Sequence, residues 1–486
     1  MPSADRVRSR SPWWALAAVS AGLCLAVLST TVVSVALPYI GKDLGGSATG
    51  LEWVVDAYVV VYASMLAPGG VLGDRWGRKG LFLAGVTLFA VGSAITGLAP
   101  SMAVLLVGRA IQGLGPALLV PGSLTIIRAV FEDPRRRATA IGLWSTSAGL
   151  AMAAGPPLGG LIVAGLGWRW VFLLNGPLAA LVFVLGAVVV PRLPRTAAHD
   201  RFDVLGAALV VLALAALAFG VITAQDHGWT TPLVWIALVG GLLALTGFVV
   251  RQLRQPRPLV DVRLFRSRAF TAANLAAFVV FFTFIGGIVY FTAYFQQARG
   301  ASPITAGLDI IPMGIAYALG SGVSGRLIGW TGERLPLVVG LAVAGASALG
   351  LLRLDVTSPF SAIWWNFALL GAGIGLCGTP MNTIAMSAVG RERAGMASAV
   401  INTLRQVGQV FGVAVLGALV YGAVPGGRVH TAADRARFVI GLHHALWVSG
   451  LALLATAAVS AALLFGRAGA PAPTTSARTP DARTLS

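Results

Sequence analysis

Gly70-Val71-Leu72-Gly73-Asp74-Arg75-Trp76-Gly77-Arg78-Lys79 joins two long apolar runs, residues 51–73 and 80–99, with almost no linker between them. Each run is about 20 residues, the length at which an α-helix crosses the hydrocarbon core of a bilayer. Asp74, Arg75, Arg78 and Lys79 crowd into the turn itself. Such a stretch reads as a hairpin between two membrane-spanning helices, held at a water interface. Its glycines supply tight backbone conformations, and its Asp can cap or ion-pair across a helix end.

The same alternation runs outward in both directions. Apolar segments bounded by charge clusters or Gly/Pro turns fall near 13–36, 51–73, 80–99, 101–128, 138–165, 169–191, 203–224, 232–251, 270–294, 304–329, 335–353, 361–388, 395–422 and 439–466, which makes fourteen spans. Composition agrees: 57% of the 486 residues are hydrophobic and 11% are charged, where a soluble domain carries about a quarter charged residues. Little chain is left for a soluble domain. A mean hydropathy of +0.83 excludes a disordered chain and an ordinary cytosolic enzyme. The run that starts at Trp13 is longer than the roughly 7–15 residues of a signal-peptide core, so the first span is expected to stay uncleaved.

The net charge of +18 would suit an acidic polymer as partner. Its placement points elsewhere. Loops that follow even-numbered spans, together with the two termini, hold 26 of the 35 Lys and Arg residues, and the opposite loops hold seven, Lys42, Arg169 and Arg299 among them. Arg109 and Arg405 stand inside spans. By the positive-inside rule both termini are cytoplasmic, and the basic excess anchors the chain to anionic lipid headgroups instead of nucleic acid.

An internal repeat organises the spans. Gly70 and Gly77 flank the loop after span 2, and Gly325 and Gly332 flank the loop after span 10, at an offset of 255. Arg137-Ala138 before span 5 and Arg393-Ala394 before span 13 repeat at 256. Eight spans therefore separate equivalent positions, as expected of two six-helix halves with a helix pair inserted between them. The expected division is a cytoplasmic N-terminus (1–12), an N-terminal bundle (13–191), inserted spans 7 and 8 with their loops (192–268), a C-terminal bundle (269–466) and a disordered tail (467–486). Parallel halves of this kind place a substrate site near the midplane, between them.

Several motifs carry mechanism. Span 4 contains Arg109-Ala110-Ile111-Gln112-Gly113-Leu114-Gly115-Pro116, which puts a guanidinium two to three turns into the membrane. There a charge is costly and is either functional or spent on backbone carbonyls. Span 5 spaces Gly142, Ala151, Gly155, Pro156, Gly159 and Gly160. Gly155 and Gly159 lie one turn apart, a smooth face for close helix contact, and Pro156 bends the helix. The turn at 70–79 resembles the signature loop of the major facilitator superfamily, and the span 4 and span 5 motifs are similar to that superfamily's cavity-lining and antiporter motifs. With Trp168-Arg169-Trp170-Val171-Phe172-Leu173-Leu174-Asn175-Gly176-Pro177 and fourteen spans, the likeness is to its fourteen-helix drug:proton antiporter branch and covers essentially the whole chain.

The resemblance implies an all-α polytopic membrane protein of the major facilitator fold. It implies a cytoplasmic latch at Gly70, Asp74, Arg75, Gly77 and Arg78, and proton coupling and cavity lining by Arg109 and Gln112. The second copy of the loop has Gly329 and Glu333 at the places of Asp74 and Arg78, so no equivalent latch is expected there. Span 1 reads Leu28-Ser29-Thr30-Thr31-Val32-Val33-Ser34-Val35-Ala36-Leu37-Pro38, and Ser29 stands where many members of the branch carry an acid. A hydroxyl does not cycle a proton near neutral pH. Another acid must then serve, and Asp56 in span 2 and Asp309 in span 10 are the two acids read as lying inside spans. Each is either a proton carrier or a wetted vestibule acid one or two turns from the surface. Arg405, Gln406 and Gln409 of span 13 form a polar stripe that faces either the cavity or a neighbouring helix.

Other chemistries lack their residues. No phosphate-binding Gly-x4-Gly-Lys-Ser/Thr loop is present, so ATP does not energise the chain. Cys24 and Cys377 stand alone in apolar runs, and the five histidines show no ligand spacing. Neither a catalytic triad, a metal site nor a cofactor is expected, and the energy source is the proton gradient. The expected function is proton-coupled export of a small amphiphilic compound by a monomer in a bacterial cytoplasmic membrane. An antibiotic for self-resistance is the first cargo, with broad efflux of lipophilic cations, or uptake or passive passage of a metabolite, as alternatives. Arg outnumbers Lys 33 to 2, a composition associated with GC-rich bacterial genomes.

Overall fold

The computed structural model describes residues 11–45, 47–193, 203–256, 258–389, 394–425 and 429–465. Fourteen of its helices are long and apolar enough to cross a membrane. In chain order α1 runs Pro12–Thr31 and, past Val32, continues as Val33–Leu44; α2 is Ala48–Trp76, α3 Arg78–Gly97, α4 Met102–Val130 and α5 Pro134–Leu166. α6 comprises Trp170–Leu173 and Asn175–Val189, α7 is Val204–His227 and α8 Pro232–Arg254. The second half repeats the first with α9 Arg268–Ala293 and its π-helical end Tyr294–Ala298, α10 Pro303–Thr331, α11 Arg334–Gly350, α12 Phe360–Ser387, α13 Ala394–Gly422 and α14 Ala432–Phe465. The narrow breaks at 98–101 and 332–333 are real, and the segment before residue 11 and the tail after 465 lie outside the described residues.

Short polar caps start these helices abruptly. Ser47 accepts from the Gly50 amide at 3.1 Å, Asp133 from Arg136 at 3.0 Å and Asp203 from Gly206 at 2.9 Å. Each cap satisfies an amide that the first helical turn leaves open, which matters most where the turn meets the membrane interface. Lipid supplies no hydrophobic drive for helices to associate, so close packing at small residues takes its place. A Cβ on Gly92 or Gly108 would strike the facing backbone of α4 or α3, which fuses those two helices into one hairpin.

The repeat is visible in backbone and side chains alike. Gly77 and Gly332, 255 residues apart, both hold positive φ, +99° and +73°, a region closed to most L-residues. At the start of α3, Lys79 Nζ donates to the Ala187 carbonyl at the end of α6 (2.6 Å). At the start of α11, Arg334 Nη1 donates to the Leu464 carbonyl at the end of α14 (2.8 Å). Lys79 and Arg334 are again 255 apart, and each places a cation on the negative end of the last helix of its bundle.

Between the bundles, α2 packs on α13 and α5 packs on α10, which are the same pair under the repeat. The inserted α7 lies against α8, α2 and α13, so it touches both halves beside one of these seams. Asp203, at its start, accepts from Arg251 Nε (2.7 Å) and Gln252 Nε2 (3.0 Å) of α8. Burial pushes the Asp203 carboxyl up, but the Gly206 amide, Arg251 and Gln252 together hold it below the usual carboxylate value.

Candidate functional site

The faces of the protein are named by their loops: one is poor in Lys and Arg and carries Lys42, Arg169 and Arg299, and the other carries Arg78 and the basic loops. On the Lys/Arg-poor side the two seams are shut. A Cβ on Gly307 of α10 would come within 2.6 Å of the Pro156 carbonyl oxygen and 3.0 Å of the Pro157 Cα in α5, and one on Gly160 would strike the Pro303 carbonyl. Gln296 Nε2 donates to the Val35 carbonyl across the halves at 3.3 Å. On the Lys/Arg-rich side Gly142 of α5 and Gly322 and Gly325 of α10 have no neighbour within 4 Å of a Cβ position. Among the described residues, the bundles are joined near one face and parted near the other.

The span 5 glycines divide into two contacts. Gly155 and Gly159 face the break in α1: a Cβ on Gly155 would collide with Thr31 Oγ1, and one on Gly159 would lie 2.6 Å from the Val32 carbonyl oxygen. Gly160 faces α10 instead. Pro156 places its carbonyl against Gly307, so α5 is clamped between α1 of its own bundle and α10 of the other.

Arg109 is wholly buried inside the N-terminal bundle. Its Nε donates to the Val54 carbonyl (2.7 Å), and its Nη1 donates to Gln112 Oε1 (2.8 Å) and Ser29 Oγ (3.0 Å). Gln112 Nε2 donates onward to Ser29 Oγ (3.1 Å) and Ser93 Oγ (2.7 Å). The guanidinium carbon also sits 4.4 Å from the centroid of the Tyr58 ring, a cation–π contact. None of these hydrogen bonds reaches Asp56 or Asp309. Ser29, Arg109 and Gln112 therefore form one enclosed knot within the N-terminal half, turned away from the seam in this conformation.

Asp56 faces the other way. It is fully buried, neither oxygen has a hydrogen-bond partner, and it lies within electrostatic reach of Glu52 and of Tyr290 on α9. A lone carboxylate in such a place is very costly. Asp309 is half-buried on α10, within reach of Arg299 and Tyr294. The structure does not bring Asp56 and Asp309 together.

Arg405 looks onto the parted cleft from α13. It lies within reach of Tyr62 on α2 and Tyr317 on α10, and 5.3 Å from the Phe281 ring centroid. Its Nη1 donates to Asn402 at 3.4 Å, whereas its Nε, Gln406 Oε1 and Gln409 Oε1 have no partner. Phe284 stacks on Tyr317 at 4.9 Å, giving this wall flat apolar faces beside buried polar atoms that lack a partner. A planar molecule with hydrogen-bonding groups suits such a surface.

At the hairpin, the Arg78 guanidinium folds over Gly73, where a Cβ would stand 2.8 Å from Nη1. Gly70 lies against Pro121 of α4. The side chains of Asp74 and Arg75 lie outside the described residues. Glu52 is the residue that the sequence reading passed over, because it stands in the first turn of span 2, at the edge of the apolar run. It is 3% exposed. Its i, i+4 spacing to Asp56 is the signal that places both acids on one helix face.

The sequence profile described as Major Facilitator Superfamily matches residues 19–413. A multidrug resistance protein, Stp, of Mycobacterium tuberculosis is 37% identical over 417 residues, 85% of this chain and 76% of that protein. The tetracenomycin C resistance and export protein of Streptomyces glaucescens is 35% identical over 416 residues, 86% of this chain and 77% of its own length. Among solved structures, a bacterial homologue of the human lysosomal transporter Spinster, described as inward-facing and unoccupied, superposes with a TM-score of 0.67. At 19% identity, covering 93% of this chain and 96% of that one, it shares the fold.

Proposed function

The chain belongs to the Major Facilitator Superfamily, and from that premise we propose that it exports a small amphiphilic antibiotic from a bacterial cell in exchange for protons. Its two bundles rock about the seams α2/α13 and α5/α10, opening the cleft to one face at a time. Both termini and the Lys/Arg-rich face lie in the cytoplasm, so the conformation described above is open inward. The observation that carries the reading is Asp56, enclosed and unpartnered on the seam that must part. Protons from outside neutralise it and allow the outer face to shut. The proton then leaves to the cytoplasm before the outer face reopens, so each export cycle carries one proton inward.

The named activities of the relatives support a drug or antibiotic as cargo, and tetracenomycin C export in one of them favours an aromatic compound. The Arg405, Tyr317 and Phe281 wall is where such a ring would lie. A broader multidrug specificity is the second reading, favoured by the relative from Mycobacterium tuberculosis. The Asp74 and Arg78 hairpin serves as a cytoplasmic latch, the proton gradient is the energy source, and the monomer is the working unit.

Inverted membrane vesicles test the proposal. With an imposed inside-acid gradient, a panel of aromatic antibiotics that includes tetracenomycin C is added and lumenal pH is followed by fluorescence. An exporter dissipates the gradient on addition of its cargo, and Asp56→Asn abolishes that response while the protein still inserts. No drug-dependent proton flux from any compound in the panel would reject the antiport reading.

A further inference from the structure

Two tyrosines mark the centre of the cleft. Tyr62 of α2 and Tyr317 of α10 are 255 residues apart, the offset of the repeat, and each stands fourteen residues from either end of its helix. They are one position seen in both halves, at the level of the midplane, and both lie within electrostatic reach of Arg405. Arg405 is eleven residues into α13, about 16 Å along its axis. The guanidinium therefore stands at the depth where parallel halves place a substrate.

That cation has no match in the other half. At the offset of 256 that relates α13 to α5, Gly149, Leu150 and Ala153 occupy the places of Arg405, Gln406 and Gln409. Polar recognition at this level comes from the C-terminal bundle, and Gly149 lies against the Tyr317 ring instead. Nor does an acid answer the charge. Among the described residues, the groups within electrostatic reach of Arg405 are the two tyrosines, and no carboxylate is among them. Asp56 is directed to Glu52 and Tyr290. Of the five N–H groups of the guanidinium, one donates to Asn402 at 3.4 Å, and Nε has no acceptor. Flat apolar faces flank it, with the Phe281 ring 5.3 Å away and Phe284 stacked on Tyr317 at an interplanar angle of 20°. One turn along α13, Gln409 is 4% exposed and its Oε1 lacks a donor.

We infer that the cargo is a planar organic anion, an aromatic acid whose charged group docks on Arg405 between Tyr62 and Tyr317 and whose ring lies along Phe281 and Phe284. A hydroxyl on the same ring would meet Gln409. A cation enclosed at this depth without a counter-ion is costly. The bound anion supplies that counter-ion, so the bundles close over a compensated pair, whereas a lipophilic cation would set two like charges side by side. The inference deepens the proposed export and rests on it for treating the ligand as cargo. The preference for an anion is a property of the cleft itself and is read without transport.

Three fluorescent probes share one ring system and differ in charge: anthracenecarboxylate, anthracenemethanol and anthracenemethylammonium, each substituted on the central ring. Their binding to full-length protein in nanodiscs of zwitterionic phosphatidylcholine is followed by fluorescence anisotropy at neutral pH, with protein-free nanodiscs subtracted. The carboxylate is expected to bind most tightly and the ammonium most weakly. Arg405→Gln should weaken the carboxylate by about 10- to 100-fold and leave the alcohol as it was, which also shows that the cleft is intact. Arg405→Lys keeps the charge without the planar fork, so its affinity for the carboxylate should fall between the two. A wild type that binds none of the probes, does not separate them or ranks the ammonium first would overturn the inference. Equal weakening of all three probes by Arg405→Gln would do the same, by assigning Arg405 to packing. A carboxylate preference beside vesicles that show no drug-dependent proton flux would retain this inference and reject the proton exchange, and flux without that preference would do the reverse.

Discussion

Replacing Gly307 with Ala adds one carbon at the point where α10 crosses α5. In the observed conformation that carbon would lie 2.6 Å from the Pro156 carbonyl oxygen and 3.0 Å from the Pro157 Cα. Both are backbone atoms in a helix stiffened by two adjacent prolines, so neither can swing aside as a long side chain would. Restoring an ordinary contact of 3.4 Å needs the helices to separate by about 0.8 Å. Inserting a methyl into a packed seam costs roughly 1–3 kcal/mol. The clash exists only while this seam is shut, so the whole cost falls on one conformational state and the shut-to-open ratio should fall by roughly 5- to 150-fold. Spin labels at Lys42→Cys and Thr357→Cys, on the two halves of the Lys/Arg-poor face of full-length protein with Cys24 and Cys377 replaced by Ser, read this by pulsed electron resonance as growth of a longer-distance population. Gly322→Ala, on the same helix but with open space around it, supplies the contrast: any shift it causes should favour the observed state. Distance distributions for Gly307→Ala that match the wild type, in protein that elutes and melts normally, would mean that the α5/α10 seam is not the surface that opens.

Arg109→Ala strips the hydrogen bonds from Val54 and Gln112 inside a sealed region, at about 1–3 kcal/mol for each group left unpaired. The purified protein should melt several degrees lower in detergent, and Arg109→Lys should recover little because an ammonium lacks the planar fork; an unchanged melting temperature would show the knot to be dispensable. Asp203→Asn tests the clip between the inserted pair. The folded-state carboxyl is held below its usual value, so its contribution is present above about pH 3.9 and is lost as pH falls through the lower folded value. Thermal unfolding of variant and wild type should therefore differ at pH 7 and converge in strong acid, and a gap that persists there would assign the effect to packing.

Much of the architecture was legible because membrane proteins write it in one dimension. Backbone groups in lipid must be satisfied within the segment, so a long apolar run has few structures open to it. That is why the fourteen runs reappear as α1–α14, with ends shifted by a few residues, as where the Ser47 cap lengthens α2. The offset of 255 was equally plain at Gly77 and Gly332, where backbone conformation leaves little choice of residue. Its extension to Lys79 and Arg334 was hidden, because their partners are carbonyls at the ends of α6 and α14, and a carbonyl has no sequence signature. The break of α1 at Val32 was hidden for the same reason. There the backbone stays helical and lies against Gly155 and Gly159 of α5.

The site divides along a similar line. Sequence can place a charge at a depth in the membrane, and it put Arg109 and Asp56 there together. It carries no information on azimuth until a neighbouring helix is fixed, and azimuth separates their roles. Tyr58, two residues from Asp56 and so about 200° around an ideal helix, turns toward Arg109, and Asp56 turns toward Tyr290. Four residues from Asp56, Glu52 returns to the same azimuth and to the same seam. A charge at the first turn of a span is ordinarily discounted as interfacial, since a long side chain there can reach water. Here the interface is covered by the opposite bundle, so the first turn is as dry as the midplane, and depth measured from the lipid surface misjudges it. Burial therefore has to be judged from the facing bundle, and Glu52 is enclosed there almost as completely as Asp56.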